Sequence, residues 1–432
     1  MSTAPVYRGS FGPTQAERLL WRAGFGPRPG ESARLAKQGL RGAVRSLIEP
    51  PPLRLSGPEA HDDSGFPLAP RDAFGHDHLW WLDRMVRTNQ PLVERMALVW
   101  HDWFATSLQG VKSQALMLDQ NELFRRNALG SFRDLLLGVT KDPAMLVWLS
   151  GNKNTIRAPN ENYGRELMEL FTLGADRGYT EQDVREQARA LTGWRGAVKK
   201  RVATDFAFVP RLHDGGQKTI FGKSGAFDWQ DSCRLCLEHP SHSSFFVRKI
   251  WSYFVPTTPS ASTQAALEQL YRAKGGAVKP VVEAILLHPD LHTGPRMVKQ
   301  PVVYTAGLLR ARGRGVDTAA WWKLDDASGQ RLFYPPNVAG WDESRWLDTA
   351  TFRGRWFVAM TALGGAQEGS APRDPAKLVA RAISFWGSPE ITGKTRSVLT
   401  AWARKQLGSS SPTLVESALR QLVATAPELQ AA

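Results

Sequence analysis

The chain has 432 residues, of which 42% are hydrophobic and 22% are charged, a composition that excludes disordered and fibrous proteins. Lys and Arg outnumber Asp and Glu by 55 to 41, and residues 189–223 contain eight basic residues against Asp205 and Asp214. Such a field attracts an acidic polymer or an anionic surface without choosing between them, and a solvated basic face is the simpler alternative.

The start of the chain shows no export signal. Residues Met1 to Gly12 lack both an apolar core of signal-peptide length and a twin-arginine pair. No stretch approaches the roughly 20 apolar residues that span a bilayer, and no nucleic-acid-reading motif is present. These features predict a cytoplasmic protein without a transmembrane segment.

Helical patterns dominate the first third of the chain. Thr14 and Glu17 are spaced as a capping box that begins a helix ending at Ala23. Residues 50–70 carry prolines and no period, which predicts a loop. Elsewhere apolar residues recur at spacings of three and four, and helices are predicted over 31–37, 40–47, 72–88, 91–106 and 113–138.

The remaining pattern is helical with one exception. A helix is predicted from Asn160 or Glu161 to Gly174, and Thr180 with Asp183 caps another that ends near Leu191. Alternation of β-forming residues predicts a small β-hairpin insertion over about 195–228. Further helices are predicted over 231–238, 241–254, 262–273, 278–287, 298–311 and 348–363.

The fold class expected from these elements is mainly α, a multi-helical globular protein with a small β-hairpin insertion. Residues 1–363 are predicted to form a single helical domain. Residues 364–432 are predicted to form a C-terminal helical extension that packs on this domain. Its first part, residues 364–373, is expected to be a flexible link.

Eight ordered motifs resemble a bacterial family labelled domain of unknown function 1800. They are Arg18–Pro27, Trp100–Phe104, Asn160–Gly174, Tyr179-Thr180 leading to Leu191–Trp194, His213-Asp214 followed by Lys218, His239-Pro240, Lys249–Trp251 and Pro335–Trp341. The resemblance runs from about Arg18 to Thr361. It implies a mostly helical protein, and it implies no activity because none is established for the family.

The resemblance also bears on location and partners. Many relatives look secreted and accompany a second uncharacterised, sulfatase-like family, so a periplasmic or secreted location is the alternative to the cytoplasm. A protein from a neighbouring gene is therefore a candidate partner. Relatives often have His-Asn-His-Phe where this chain has His101-Asp102-Trp103-Phe104, so a second histidine is missing there.

The run from Asn160 to Leu170 is the sharpest motif. At about 100° per residue, Asn162, Arg165, Glu166 and Glu169 fall on one arc of the predicted helix. Glu161, Arg165 and Glu169 can be explained as an ion-pair ladder, which leaves Glu166 without a partner in the local sequence. Glu166 and Glu169 are therefore predicted to be catalytic, and Asn162 and Arg165 to bind.

Two other segments offer histidine and aspartate. His213 and Asp214 lie in a predicted turn before two glycines and are predicted to be catalytic, the alternative being an aspartate that caps its own turn. His101 lies among aromatic residues, where a core histidine is the usual case. A metal set of His101, Glu166 and His213 would favour iron, manganese or zinc.

Two further patterns were considered for binding. Cys233, Cys236, His239 and His242 resemble a zinc string, but steps of three drift around a helix and Pro240 breaks it, so the spacing argues against zinc. Sixteen tryptophans are many for this length. Most are expected in the core, and Trp341 with Trp346 are predicted to bind as a stacking platform for a sugar or other planar ligand.

These observations lead to two functional hypotheses. The first is a hydrolase-type enzyme that uses the polar Glu, His and Asp residues, with or without a metal ion. The alternative is a non-catalytic binding or assembly protein for an acidic polymer or a protein partner. The common phosphate-loop, serine-hydrolase and zinc-helix signatures are absent from the sequence.

Overall fold

The computed structural model describes residues 4–366 and 369–432. Helices make up the first third of the fold, and they are short enough to pack in several directions. They are α1 (Pro13–Arg22), α2 (Glu31–Ala36), α3 (Gly39–Ile48), α4 (His76–Arg87), α5 (Pro91–Trp103), α6 (Leu108–Val111), α7 (Gln114–Arg126), α8 (Phe132–Thr140) and α9 (Pro143–Trp148).

The middle of the chain contains the only strands of the described residues. α10 (Asn162–Glu166) continues as a π-helix over Leu167–Thr172 and is followed by α11 (Glu181–Ala190). Three antiparallel two-stranded pairs then join β1 with β4, β2 with β3, and β5 with β6. The strands are β1 (Trp194–Arg195), β2 (Val198–Lys199), β3 (Val202–Ala203), β4 (Ala207–Phe208), β5 (Lys218–Ile220) and β6 (Lys223–Gly225).

Helices form the rest of the chain. They are α12 (Trp229–Glu238), α13 (His242–Ser252), α14 (Ala261–Ala273), α15 (Val278–Leu286), α16 (Pro289–Thr293), α17 (Pro301–Arg312), α18 (Ala320–Ala327), α19 (Thr349–Leu363), α20 (Pro375–Phe385), α21 (Gly393–Gln406), α22 (Pro412–Ala424) and α23 (Pro427–Gln430). The predicted fold class, mainly α with a small β-hairpin insertion, is confirmed.

Local sequence explains several helix starts. Thr180 and Asp183 form the predicted capping box, since Thr180 N donates to Asp183 at 2.8 Å and Asp183 N donates to Thr180 Oγ1 at 3.2 Å. The predicted box of Thr14 and Glu17 is wrong. α1 begins at Pro13, and Gly12 N donates to Gln15 Oε1 at 3.1 Å.

The single helix predicted over 113–138 is two helices. α7 ends at Arg126, and Ser131 caps α8 by accepting a hydrogen bond from Asp134 N. Gly130 and the Ser131 cap favour this break, while the apolar spacing continues on both sides of it. Helices α9 and α18 were not predicted, because each is short and lacks a long amphipathic pattern.

One cluster of buried apolar side chains extends from Ala16 in α1 to Ala432. It contains α5, whose buried tryptophans Trp100 and Trp103 pack against Phe132 of α8. Tyr304 of α17 donates to Ala424 O of α22 at 3.0 Å. Helices before and after the predicted link thus share this core. The proposed domain boundary at 363/364 stays a prediction, and residues 367–368 of the link lie outside the described residues.

Each helix in the described ranges is too short or too polar to cross a bilayer.

Candidate functional site

The signature run, which is the family motif Asn160–Gly174, changes helix type in its middle. Asn162–Glu166 is α-helical and Leu167–Thr172 is a π-helix. A π-helix shifts the backbone hydrogen bonds and releases carbonyl groups to other partners. Leu170 O accepts from Lys249 Nζ at 2.8 Å, and Phe171 O accepts from Trp103 Nε1 at 3.1 Å. The run therefore anchors α5 and α13 through its main chain.

The charged face of the run is an ion-pair network centred on Arg165. Its guanidinium donates to Glu181 at 2.8 Å and to Glu161 at 3.2 Å, and it lies 3.6 Å from Glu169. The predicted ladder is present, and Glu181 of α11 completes it. Asn162 is exposed. Arg165 is thus occupied by carboxylates of the chain itself.

Glu166 lies outside this network, as its sequence position suggested. It is half-buried. Desolvation, followed by the negative charge of Glu169, raises the pKa of Glu166, while Arg165 opposes the rise. Of the other predicted site residues, His213 and Asp214 contact Thr192 and Arg189, and His101 contacts aromatic rings; none of the three forms a hydrogen bond or ion pair with Glu166. The predicted catalytic set of Glu166, Glu169, His213 and Asp214 stays a prediction.

His213 and Asp214 are held in a structural turn. Asp214 accepts from Arg189 Nε at 2.7 Å, and Asp214 N donates to Thr192 Oγ1 at 2.8 Å. His213 Nδ1 lies 3.0 Å from Thr192 O. The buried Lys218 donates to the Asp214 carbonyl and to Gly216 O. The Arg189 hydrogen bond lowers the pKa of Asp214, which makes this carboxylate a poor proton acceptor.

His101 is part of the core. Its side chain is 1% exposed and lies among the rings of Trp81, Phe124, Phe333 and Trp341. Burial lowers its pKa to about 3. Over the described ranges, no three or more His, Cys, Asp or Glu side chains are grouped to hold a metal ion. The predicted metal set of His101, Glu166 and His213 is therefore not assembled, because its members sit in separate packing environments.

The two remaining patterns are also structural. Cys233 and Cys236 are buried free thiols, and Cys236 Sγ accepts from Gln187 Nε2 at 3.3 Å. Trp341 and Trp346 are 8% and 2% exposed, which leaves a sugar no open ring face for the predicted stacking platform.

A different polar cluster is centred on Asp102, the residue after His101. Its Oδ2 accepts from Tyr253 OH at 2.7 Å, and its Oδ1 accepts from Trp341 N at 2.9 Å. Gly340 makes this approach possible: its φ is +94°, and a Cβ there would lie 2.2 Å from Asp102 Oδ1. Desolvation raises the pKa of Asp102, and its hydrogen bonds and Lys249 oppose the rise.

Lys249 supplies the positive charge of this cluster. Its Nζ donates to Leu170 O and lies 4.6 Å from the centre of the Trp103 ring. Desolvation lowers the pKa of Lys249 to about 8, while Asp102 raises it. The ammonium group of Lys249 therefore gives up its proton at a pH only slightly above neutral.

Glu343 and Arg95 complete the cluster. Glu343 begins the short 3-10 turn Glu343–Arg345 and is exposed as a residue. Desolvation of its carboxyl group and the nearby charge of Asp102 raise the pKa of Glu343 to about 7, and Arg95 lowers it. Arg95 is 3% exposed, and its Nε and Nη1 have no hydrogen-bond acceptor among the described residues. Perturbed acids and bases that converge in this way are typical of functional sites.

Comparison with known proteins identifies a family. The family described as "Protein of unknown function (DUF1800)" matches residues 18–431. The chain belongs to this family. No match was found among curated proteins or among solved structures.

The match corrects the extent of the resemblance. The motifs suggested an end near Thr361, whereas the DUF1800 match continues to residue 431 and includes α20 to α22. These helices belong to the family sequence, although their spacing shows no sharp motif.

The DUF1800 motifs meet at the Asp102 cluster. Trp100–Phe104 contributes Asp102, Lys249–Trp251 contributes Lys249, and Pro335–Trp341 contributes the amide of Trp341. The signature run contributes the carbonyl of Leu170. Trp341 N contacts the Asp102 carboxylate directly, and Lys249, which donates to Leu170 O, acts on that carboxylate through its charge. Four segments that are far apart in the chain therefore contribute to one cluster.

Sequence reasoning did not single out the residues of the Asp102 cluster, although several of them lie within the family motifs. Asp102 stands beside His101, and the histidine drew the attention because imidazole is the commoner catalytic group. Glu343 follows Trp341 by two residues, just beyond the Pro335–Trp341 motif. The available signal was the presence of Asp102 and Lys249 inside separate family motifs, but no spacing along the chain shows that they approach each other.

Proposed function

We propose that the protein is a hydrolase-type enzyme whose proton-transfer group is Glu343, positioned by Asp102 and Lys249. The observation that supports this most is that the charge of the buried Asp102 acts both on Glu343, whose pKa is raised, and on Lys249, whose pKa desolvation lowers. A carboxyl group that titrates at about 7 can act as base and as acid near neutral pH.

The proposed step needs one water molecule. Glu343 in its carboxylate form takes a proton from water while the water oxygen bonds to the electrophilic centre of the substrate. The protonated Glu343 then gives that proton to the leaving group as the scissile bond breaks. Water is added across the bond and Glu343 returns to its starting form.

Asp102 acts through Glu343 in this proposal, as a positioning residue. Its two oxygens are held by Tyr253 and by the amide of Trp341, so its charge is fixed in place. That charge raises the proton affinity of Glu343. Lys249 keeps Asp102 compatible with a largely desolvated position.

The test is hydrolysis of a panel of chromogenic carboxylic esters, phosphate esters and glycosides by the purified chain. We expect turnover of at least one class, and a loss of about 100-fold or more in Glu343→Gln. Asp102→Asn should move the pH profile of kcat/KM to lower pH, because the charge that raises the pKa of Glu343 is removed. Glu59→Gln is the matched control, since Glu59 is 89% exposed and outside the site.

The result that contradicts this proposal is equal turnover by the wild type and Glu343→Gln, or no turnover of any class in the panel. A pH profile unchanged by Asp102→Asn would remove the positioning role of Asp102 alone.

A second candidate function, binding of an acidic polymer, is favoured by a different cleft. The tip of the β2–β3 hairpin lies against the start of α7 and encloses a cavity of about 370 Å³. Its lining includes three cations and no acidic residue: Phe74, Leu108, Lys112, Gln114, Val198, Lys200, Arg201 and Tyr334. Cations beside aromatic rings are suited to an anionic chain with planar or sugar units.

Retention on immobilised dextran sulfate measures this second function. Lys200→Glu with Arg201→Glu should lower the salt concentration that elutes the protein. The same charge change at Arg404 and Lys405, exposed residues of α21, is the control. Equal elution of both double variants would indicate that only net charge matters and would refute a specific cleft.

A further inference from the structure

Arg95 is a buried cation without an ion-pair partner among the described residues. The side chain projects from α5 and is 3% exposed. Its Nε and Nη1 have no acceptor within the described ranges, and Glu343 is the carboxylate whose charge acts on it, from beyond ion-pair distance. Burial lowers the pKa of Arg95 to about 10, so the guanidinium stays protonated at neutral pH.

Other deeply buried arginines of the protein are satisfied. Arg355 donates to Trp346 O at 2.9 Å and to Lys299 O at 2.6 Å. Arg310 donates to Gly26 O at 2.9 Å and pairs with Glu31 at 3.3 Å. This fold therefore surrounds buried guanidinium groups with acceptors where their role is structural, and Arg95 is an exception to that pattern.

An unpaired buried charge is costly, and buried polar groups nearly always have partners. The surroundings of Arg95 increase the cost, because the positive charge of Arg22 also acts within range of it. Glu343 does not neutralise it by contact, and Asp102 is held by Tyr253 and Trp341. Arg95 is thus a buried cation that has no carboxylate at ion-pair distance among the described residues.

We propose that Arg95 binds an oxyanion group of the ligand, a carboxylate, phosphate or sulfate, beside Glu343. This inference rests on the proposed function, since it assigns an anionic substrate class to the same site. A guanidinium forms two parallel hydrogen bonds to such a group, and it holds the group in a fixed orientation. The ligand's anion would supply the charge that the protein leaves out.

The test uses inorganic anions as probes on the full chain. Sodium phosphate, sulfate and acetate are compared with chloride at equal ionic strength, by thermal unfolding and by calorimetric titration. At least one oxyanion should raise the Tm of the wild type by about 3 °C or more at saturation, because it binds the folded state only. The anion that gives the largest shift identifies the group.

Arg95→Met should abolish this shift while the exposed control Arg404→Met retains it. In chloride alone, Arg95→Met should be at least as stable as the wild type, since it removes an unpaired buried charge. Arg355→Met should be less stable, because it leaves buried carbonyl groups without donors. If none of the three oxyanions raises the Tm of the wild type, the inference is overturned. This outcome does not depend on whether the variants fold.

Glu343→Gln separates this inference from the proposed function. It should lose hydrolysis and keep or strengthen oxyanion binding, because a competing carboxylate is removed. If the wild type binds an oxyanion but hydrolyses no substrate, Arg95 stands as a ligand-binding residue and the proposed hydrolase activity is refuted. If the protein hydrolyses a substrate but the oxyanion-induced rise in Tm persists in Arg95→Met, the anion-binding role of Arg95 is refuted and the proposed enzyme activity stands.

Discussion

Acidification should destabilise this protein through His101 in a way that one substitution can isolate. The ring is almost fully buried between Trp81, Phe333 and Trp341, and its Nε2 has no hydrogen-bond acceptor among the described residues. An imidazolium ion there would be desolvated without a counter-charge. Burial therefore lowers the pKa of His101 to about 3 in the folded state.

The sign and size follow from proton linkage. An unfolded histidine titrates near about 6.5, so between that pH and about 3 the unfolded chain binds a proton that the folded His101 does not. The stabilisation is complete above the unfolded pKa and is lost as pH falls. Each pH unit between the two pKa values changes the free energy of unfolding by about 1.4 kcal/mol. A change from pH 7 to pH 4 should therefore lower the free energy of unfolding by about 3 kcal/mol through His101.

The assay is urea unfolding of the wild type and of His101→Phe, followed by tryptophan fluorescence at pH 7 and pH 4. Phenylalanine fits an aromatic environment and does not titrate. His242 and His292, whose pKa values are lowered to about 4, contribute equally in both proteins and cancel in the difference. His61→Phe, at a half-buried loop position, is the matched control. Equal loss of unfolding free energy in the wild type and His101→Phe would refute the argument.

Two further predictions concern the approach at Gly340 and the network at Arg165. Gly340→Ala should lower the free energy of unfolding, measured with urea, by about 2–4 kcal/mol. A side chain at φ +94° is strained, and its Cβ would displace Asp102 from Trp341 N. Gly365→Ala is the control for backbone strain alone, because φ there is +68° and no atom is close. Arg165→Ala should change Tm by about 1 °C or less, since its partners Glu161 and Glu181 are exposed and solvent screens the pairs. A larger decrease in Tm would show that these ion pairs stabilise the fold more than exposed pairs usually do.

The sequence determined the fold class because helix signals are local. Spacing of apolar residues and the Thr180 capping box act over a few residues, so α11 could be placed from its own segment. The break before α8 was missed because the apolar period continues across Gly130 and Ser131. The π-helical turn was missed because its sequence has the same periodicity as an ordinary helix.

The ion-pair ladder at Arg165 was likewise readable, since its members are one helical turn apart. The Asp102 cluster was not, because its residues come from α5, α13 and the loop before α19, and only packing of the core brings them together. Burial also decided the chemistry. Burial lowers the pKa of His101 to about 3 and separates the Arg95 guanidinium from solvent. At Glu343, an exposed residue, desolvation of the carboxyl group and the charge of Asp102 raise the pKa to about 7. Only the tertiary structure creates these environments, because it brings distant segments together.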